Sequence, residues 1–309
     1  MKSRKVISGI LNHCYQRTID GYLLFYSISD YLVFFTIFCT AARRYRVRVL
    51  SLCLMPDHYH ISIVAESAKE LSGFIRDINR VFVPQNNSIC HRSGPLLEKP
   101  FGSVPVRGDK NARTNLCYVG NNGVERQLSK RAEDYRWNFL AYYNNTSPFS
   151  EPLVIRRVSW SMRMTLQEIR ACHKQGRPLS YNLLQRLFKP LDRRERLQLV
   201  DFIINSYNII DYESAIRFFD NYDDMLTAMH SNTGSEHNLN EIFIGRSDAC
   251  YAKMTSILMK ELEFDDIHDF LALPEKERIE LFAFLCRRTD AIPKQVAKYL
   301  RIKLKKAEG

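Results

Sequence analysis

His58 and His60 lie two residues apart in the run Leu52-Cys53-Leu54-Met55-Pro56-Asp57-His58-Tyr59-His60-Ile61-Ser62-Ile63-Val64. On a β-strand, side chains two apart leave the same face, so both imidazoles point one way while Tyr59 and Ile61 turn to the other. Two neutral imidazoles on one face are half of a metal site. They also occur as hydrogen-bonded core or surface residues, and a third ligand must come from elsewhere in the chain. In Leu116-Cys117-Tyr118-Val119-Gly120-Asn121-Asn122, Tyr118 and Asn122 are four apart. On a helix that spacing presents a phenol and a side-chain amide together. Gly120 and the run Asn121-Asn122-Gly123 support the alternative, a buried tyrosine beside a turn, because these residues weaken a helix.

The surrounding segments have the patterns needed to hold these groups. Ile7 to Tyr15 alternates loosely as a first strand, and Asp20-Gly21 is a turn. Ser29-Asp30 is a plausible cap for the apolar, aromatic segment that ends at Tyr45. Arg46 to Leu52 alternates basic and apolar residues as a half-exposed strand leading into the histidine pair. Ser67 to Val81 carries Leu71, Phe74, Ile75 and Ile78 on one helical face, with Arg76 and Arg80 on another. Asn86 to Pro95 reads as loop, Leu96 to Val106 as a further strand, and Asp109 as the cap of the helix bearing Tyr118. The pattern predicts an α+β fold, an antiparallel sheet with flanking helices, over residues 1–147.

Two prolines and small polar residues between Thr146 and Pro152 mark a boundary, and residues 148–309 read as an all-α C-terminal domain. Helices are expected over 165–170, 179–188, 193–207 and 214–219; Ser231 to Asn240 reads as mobile. Pro274 to Leu285 and Pro293 to Leu300, broken at Thr289 to Ile292, have the spacing of a helix-turn-helix within 274–303. An ordinary helical hairpin fits the same residues.

The chain has 309 residues and a net charge of +11. Residues 1–150 hold 20 Lys and Arg against 11 Asp and Glu, a balance of +9, while residues 151–309 hold 25 against 23, a balance of +2. The basic excess therefore accompanies the candidate site, as a polyanionic partner requires. No apolar run approaches the ~20 residues of a membrane span, so a cytoplasmic protein with no membrane partner is expected. The eight cysteines are scattered without Cys-x-x-Cys spacing, which argues for free thiols and against structural zinc.

Met55-Pro56-Asp57-His58-Tyr59-His60 resembles the His-hydrophobic-His (HUH-type) motif of single-tyrosine transposases, and most closely that of the REP-associated tyrosine transposases. The likeness continues through Arg92 to Glu98, Phe101 to Val106 and Tyr118 to Arg126, and ends near Asp134 to Tyr142. It covers roughly the first half of the chain, with the blocks in the family's order. It implies a ferredoxin-like, HUH-type catalytic domain and a transposase or single-stranded DNA endonuclease active in DNA transposition and recombination. Tyr118 matches the catalytic tyrosine; His58, His60 and Asn122 match the metal ligands. The partner implied is single-stranded or hairpin DNA with short palindromic repeats, and the active site is built within a monomer or across a homodimer.

Two imidazoles and an amide oxygen leave open positions that suit Mg2+ or Mn2+ acting on a phosphodiester. Attack by Tyr118 would yield a 5′-phosphotyrosine and a free 3′-hydroxyl, with Lys110, Arg113 or Arg126 available to assist the phenol. Arg17, Arg44, Arg46, Arg48, Arg76, Arg80, Arg92, Arg107, Lys110, Arg113 and Arg126, with Lys294 and Lys298 from the helical pair, are expected to track DNA phosphates. The chain departs from the family at Asp57, usually Asn, at Tyr59, usually slimmer, and at Asn121 to Arg126, usually Leu-Asn-Pro-Val-Arg. Gly120 and Gly123 are expected to loosen the tyrosine helix. These departures keep open a domesticated, catalytically inactive hairpin-binding protein on the same fold, or a metal-dependent hydrolase in which Tyr118 is structural.

Overall fold

The computed structural model describes residues 6–231, 247–262, 264 and 266–303. Its centre is a hairpin of β2 (Val47–Met55) and β3 (His58–Ala65), which leaves only Pro56 and Asp57 for the turn. Ahead of it come β1 (Leu11–Arg17) and α1 (Ile28–Ala42); after it come α2 (Ala68–Ile89), β4 (Gly102–Pro105) and α3 (Asp109–Glu125). The strands lie in the order β2-β3-β1-β4, with every neighbouring pair antiparallel. This β-α-β-β-α-β order is the ferredoxin-like arrangement, and the α+β fold expected from the sequence is observed.

Several bounds differ from the sequence reading for local reasons. β1 starts at Leu11, because the Asn12 side chain accepts from Ile7 N at 3.1 Å and donates to the Ile7 and Ile10 carbonyls at 2.9 Å, closing residues 7–10 into a turn. α1 is capped by Ser27, not Ser29: Asp30 N donates to Ser27 Oγ at 3.3 Å, and Ser27 N donates back to Asp30 Oδ2 at 2.7 Å. α2 continues through Asn86 to Ile89 where a loop was expected, and Asn86 is fully buried, its amide reaching the Leu24 carbonyl. The strand expected over 96–106 is confined to β4 and one bridge between Thr18 and Leu97.

Beyond residue 148 the regular structure of the described residues is helical: α4 (Trp160–Lys174), α5 (Tyr181–Phe188), α6 (Arg193–Tyr207), α7 (Tyr212–Ile216), α8 (Tyr222–Ser231), α9 (Cys250–Glu261), α10 (Glu275–Arg288) and α11 (Pro293–Leu300). The stretch 232–240, expected to be mobile, lies outside the described residues. α1 is apolar almost all round, so it must be covered on all sides. The sheet and α2 cover one side, and α5 and α6 the other, which makes one apolar core from Cys14 to Ile210. No helix among the described residues is long and apolar enough to cross a membrane, and all eight cysteines are free thiols. α3 lies on the opposite face of the sheet and is backed by α8. Helices α9 to α11 close a second apolar cluster around Leu23 and Tyr26, in the segment between β1 and α1.

Candidate active site

The register of the sheet puts Arg17 opposite His58, Tyr15 opposite His60 and His13 opposite Ser62, all on the face that α3 covers. Ser62 Oγ donates to Asn115 Oδ1 at 2.8 Å and so ties α3 to β3 beside the histidines. One turn further along α3, the Tyr118 ring lies edge-on to His60 and to His13, with centroids 5.6 Å apart in both cases. His58, His60, Tyr118 and Asn122 are all buried.

Each imidazole is oriented through Nδ1. His58 Nδ1 pairs with Asp57 Oδ1 at 2.6 Å, and His60 Nδ1 pairs with His13 Nε2 at 2.9 Å. The two rings are 4.8 Å apart and nearly perpendicular. In the tautomers that donate from Nδ1, both histidines carry their lone pair on Nε2, as metal-ligating histidines held by an outer acceptor do. Asn122 donates to the Tyr118 carbonyl at 2.9 Å, while its buried Oδ1 accepts no hydrogen bond from the described residues. A buried amide oxygen left so is costly, and a cation at that position would satisfy it. Among the described residues no three His, Cys, Asp or Glu side chains group as a metal cage, so a three-donor set here needs that amide oxygen.

The glycines expected to loosen the tyrosine helix do not interrupt it; α3 runs unbroken from Asp109 to Glu125. A Cβ at Gly120 would come within 2.8 Å of Met229 Sδ, and one at Gly123 within 2.6 Å of the Tyr135 ring. Both positions are close approaches between α3 and its backing, so packing replaces the propensity they lack. The backing is also hydrogen-bonded: Asn138 donates to the Gly120 carbonyl at 3.0 Å, and Asn121 to the Met229 carbonyl at 2.7 Å.

Asp57 is the residue that the sequence reading left as an unexplained departure. Its second oxygen, Oδ2, accepts from Lys298 Nζ of α11, so the carboxylate bridges an α11 lysine and the His58 ring. Burial works to raise the Asp57 pKa, but His58 and Lys298, by charge and hydrogen bond, hold it well below the ordinary carboxylate range. Tyr59, the other bulky departure, faces away from the histidines: its hydroxyl donates to Gln16 Oε1 at 2.7 Å and its ring packs on Phe34 at 4.9 Å.

The basic residues separate into groups. Arg17, Arg126, Lys294 and Lys298 line one cavity of about 650 Å³ with Asp57 and His58 in its wall. Arg76 and Arg80 line another with Lys99, between α2 and residues 95–101. Arg44 and Arg80 pair with Asp77, Arg46 with Glu66, and Arg48 approaches Asp211. Arg92 is held by Asn87 and the Pro95 carbonyl. Arg107 and Lys110 are exposed, and Arg113, expected beside Tyr118, turns to Asp224 and stacks over Phe219. Within α11, Gln295 is buried and donates to the Ser247 carbonyl at 3.0 Å, so it faces protein and not solvent. His13 is the site residue that sequence reasoning missed; the signal was its place in the alternation His13-x-Tyr15-x-Arg17.

No model of a known protein family matches the chain, and no curated protein matches it. Among solved structures the chain is similar to a REP-associated tyrosine transposase bound to a REP hairpin. The likeness has 17% sequence identity and a TM-score of 0.38, and covers 44% of this chain and 80% of that one.

Proposed function

We propose that the chain is a divalent-cation-dependent DNA strand transferase acting on single-stranded or hairpin DNA, with Tyr118 as its nucleophile. The observation that carries this reading is the contact of the Tyr118 ring with His60 and His13 inside one chain, with the buried Asn122 amide oxygen one turn away. His58, His60 and Asn122 would hold Mg2+ or Mn2+. The bound cation would offset the negative charge that builds on the phosphate oxygens during attack. Tyr118 gives up its phenolic proton and its oxygen bonds to phosphorus; the bond from phosphorus to the 3′-oxygen breaks, and that oxygen takes up a proton. The product is a 5′-phosphotyrosine beside a free 3′-hydroxyl. A phosphodiester is exchanged for a phosphodiester, so a hydroxyl can reverse the step without ATP. The cavity walled by Arg17, Arg126, Lys294 and His58 is the route we assign to the strand.

Burial of Tyr118, which is 4% exposed, favours a second reading in which the chain binds DNA hairpins without cutting them. One experiment separates the two. Hairpin DNA labelled at its 3′ end is incubated with the protein and Mn2+, then run under denaturing conditions. Label retained on the protein, and lost in Tyr118→Phe, is expected. Retarded DNA with no covalent label selects the binding reading, and cleavage that survives Tyr118→Phe removes the nucleophile assignment.

A further inference from the structure

Lys298 reaches Asp57 across 241 residues of sequence, and everything around the contact fixes where it sits. In α11 its neighbours Val296, Tyr299 and Leu300 are fully buried, and the Tyr299 ring stacks on Phe270 at 5.2 Å. The Tyr299 carbonyl accepts from the Tyr26 hydroxyl at 3.0 Å, and Arg301 donates to the same hydroxyl at 3.1 Å. Two residues before Tyr26, Leu24 N donates to the Pro56 carbonyl at 2.7 Å, and Phe25 N does so at 3.0 Å. α11, the segment before α1 and the β2–β3 turn are thus one hydrogen-bonded unit. In it, the lysine ammonium is delivered to the carboxylate that orients His58.

We infer that Lys298 is a positioning residue for the cation site, acting through Asp57 on His58, and that the C-terminal helices are therefore part of that site. The inference rests on the cation reading given above. A carboxylate can rotate about its last side-chain bond; with Oδ2 held by an ammonium, Oδ1 is fixed on His58 Nδ1 and the ring plane is fixed with it. An amide at position 57 would offer no negative charge to the Lys298 ammonium that reaches it.

The test is Mn2+ affinity of the full chain without DNA, measured by titration calorimetry. Lys298→Met keeps the apolar stem and removes the ammonium, and it is made both in the unsubstituted chain and in Asp57→Asn. The expected result is a loss of about 10- to 100-fold when Asp57 is present, and a change of under about 3-fold when Asn stands at 57. Equal Mn2+ affinity of the Lys298→Met and unsubstituted chains overturns this inference alone. Equal losses in both backgrounds overturn it too, because they reduce Lys298 to a structural tie. An unsubstituted chain that takes up no Mn2+ overturns the cation reading and this inference together.

Discussion

His268 and His58 each lean a ring nitrogen on an aspartate; His268 on Asp30 and Lys298 on Asp57 tie the C-terminal part of the chain to the sheet unit. At His268 the ring is consumed by structure. Nδ1 meets Asp266 Oδ1 at 2.5 Å and Nε2 meets Asp30 Oδ1 at 3.0 Å, while Asp30 also accepts the Tyr181 hydroxyl and the backbone amides of Tyr26 and Ser27. At His58 the aspartate takes Nδ1, the ring stands against His60, and Asp57 and His58 wall a cavity. The same two residue types make a staple in one place and, in the other, an oriented ring that we propose as a ligand. What differs is the second aspartate that His268 meets and the cavity that Asp57 and His58 line.

That comparison can be broken from either side. The largest stability effect is expected for Asp30→Ala, which leaves His268 buried without its main counter-charge: a loss of about 3–5 kcal/mol in urea unfolding, with Mn2+ affinity of the folded fraction falling by less than in His58→Ala. His58→Ala should do the reverse. It is expected to weaken Mn2+ binding by about 100-fold, equivalent to about 2.7 kcal/mol, with a smaller cost in urea unfolding. If His58→Ala left Mn2+ binding intact, the two clusters would be equivalent and the contrast would fail.

The titration behaviour of the staple gives a third, smaller effect. Burial works to lower the His268 pKa, but the Asp30 charge and the hydrogen bonds that the ring donates to Asp266 and Asp30 raise it to about 11, against an unfolded value near 6.5. Its contribution is complete below about pH 6.5 and is lost as pH rises toward 11. Burial works to raise the Asp30 pKa, but His268 and the donors around it lower it on balance. Its contribution is present above about pH 4 and is lost as pH falls through the depressed value. Urea midpoints should therefore be highest between about pH 4 and 6.5, and the unfolding energy should drop by about 2–3 kcal/mol from pH 7 to 9. A flat profile over pH 7–9 would contradict a charged His268. The smallest effect is expected at the back of α3. Gly123→Ala gains helix propensity but drives a Cβ into the buried Tyr135 ring, for a net loss of about 1 kcal/mol by thermal unfolding. A gain in stability there would show that Tyr135 yields, and that Gly123 is replaceable.

Much of the sheet unit was legible because its signals are local. The period of two placed His58 and His60 on one face, and the interval of four placed Tyr118 and Asn122 on another, with no knowledge of what would bring the faces together. The helices over 193–207 and 293–300 followed from their residue pattern, the second with Pro293 at its start. The reading of Gly120 and Gly123 was local as well, and there it misled. Intrinsic propensity described an isolated helix, whereas α8 and the Tyr135 turn press on α3 where a side chain would collide.

From its sequence alone, this chain determined which residues share a face, where its basic charge lies and which strands and helices can form, since each depends on neighbours within a few residues. The tertiary structure decided that His13 would brace His60, that α3 would lay Tyr118 against both, and that α11 would set Lys298 on Asp57. Those pairings join residues 47 and 241 positions apart. No local periodicity encodes such a distance; only the packing of complete elements, and the burial that comes with it, selects it.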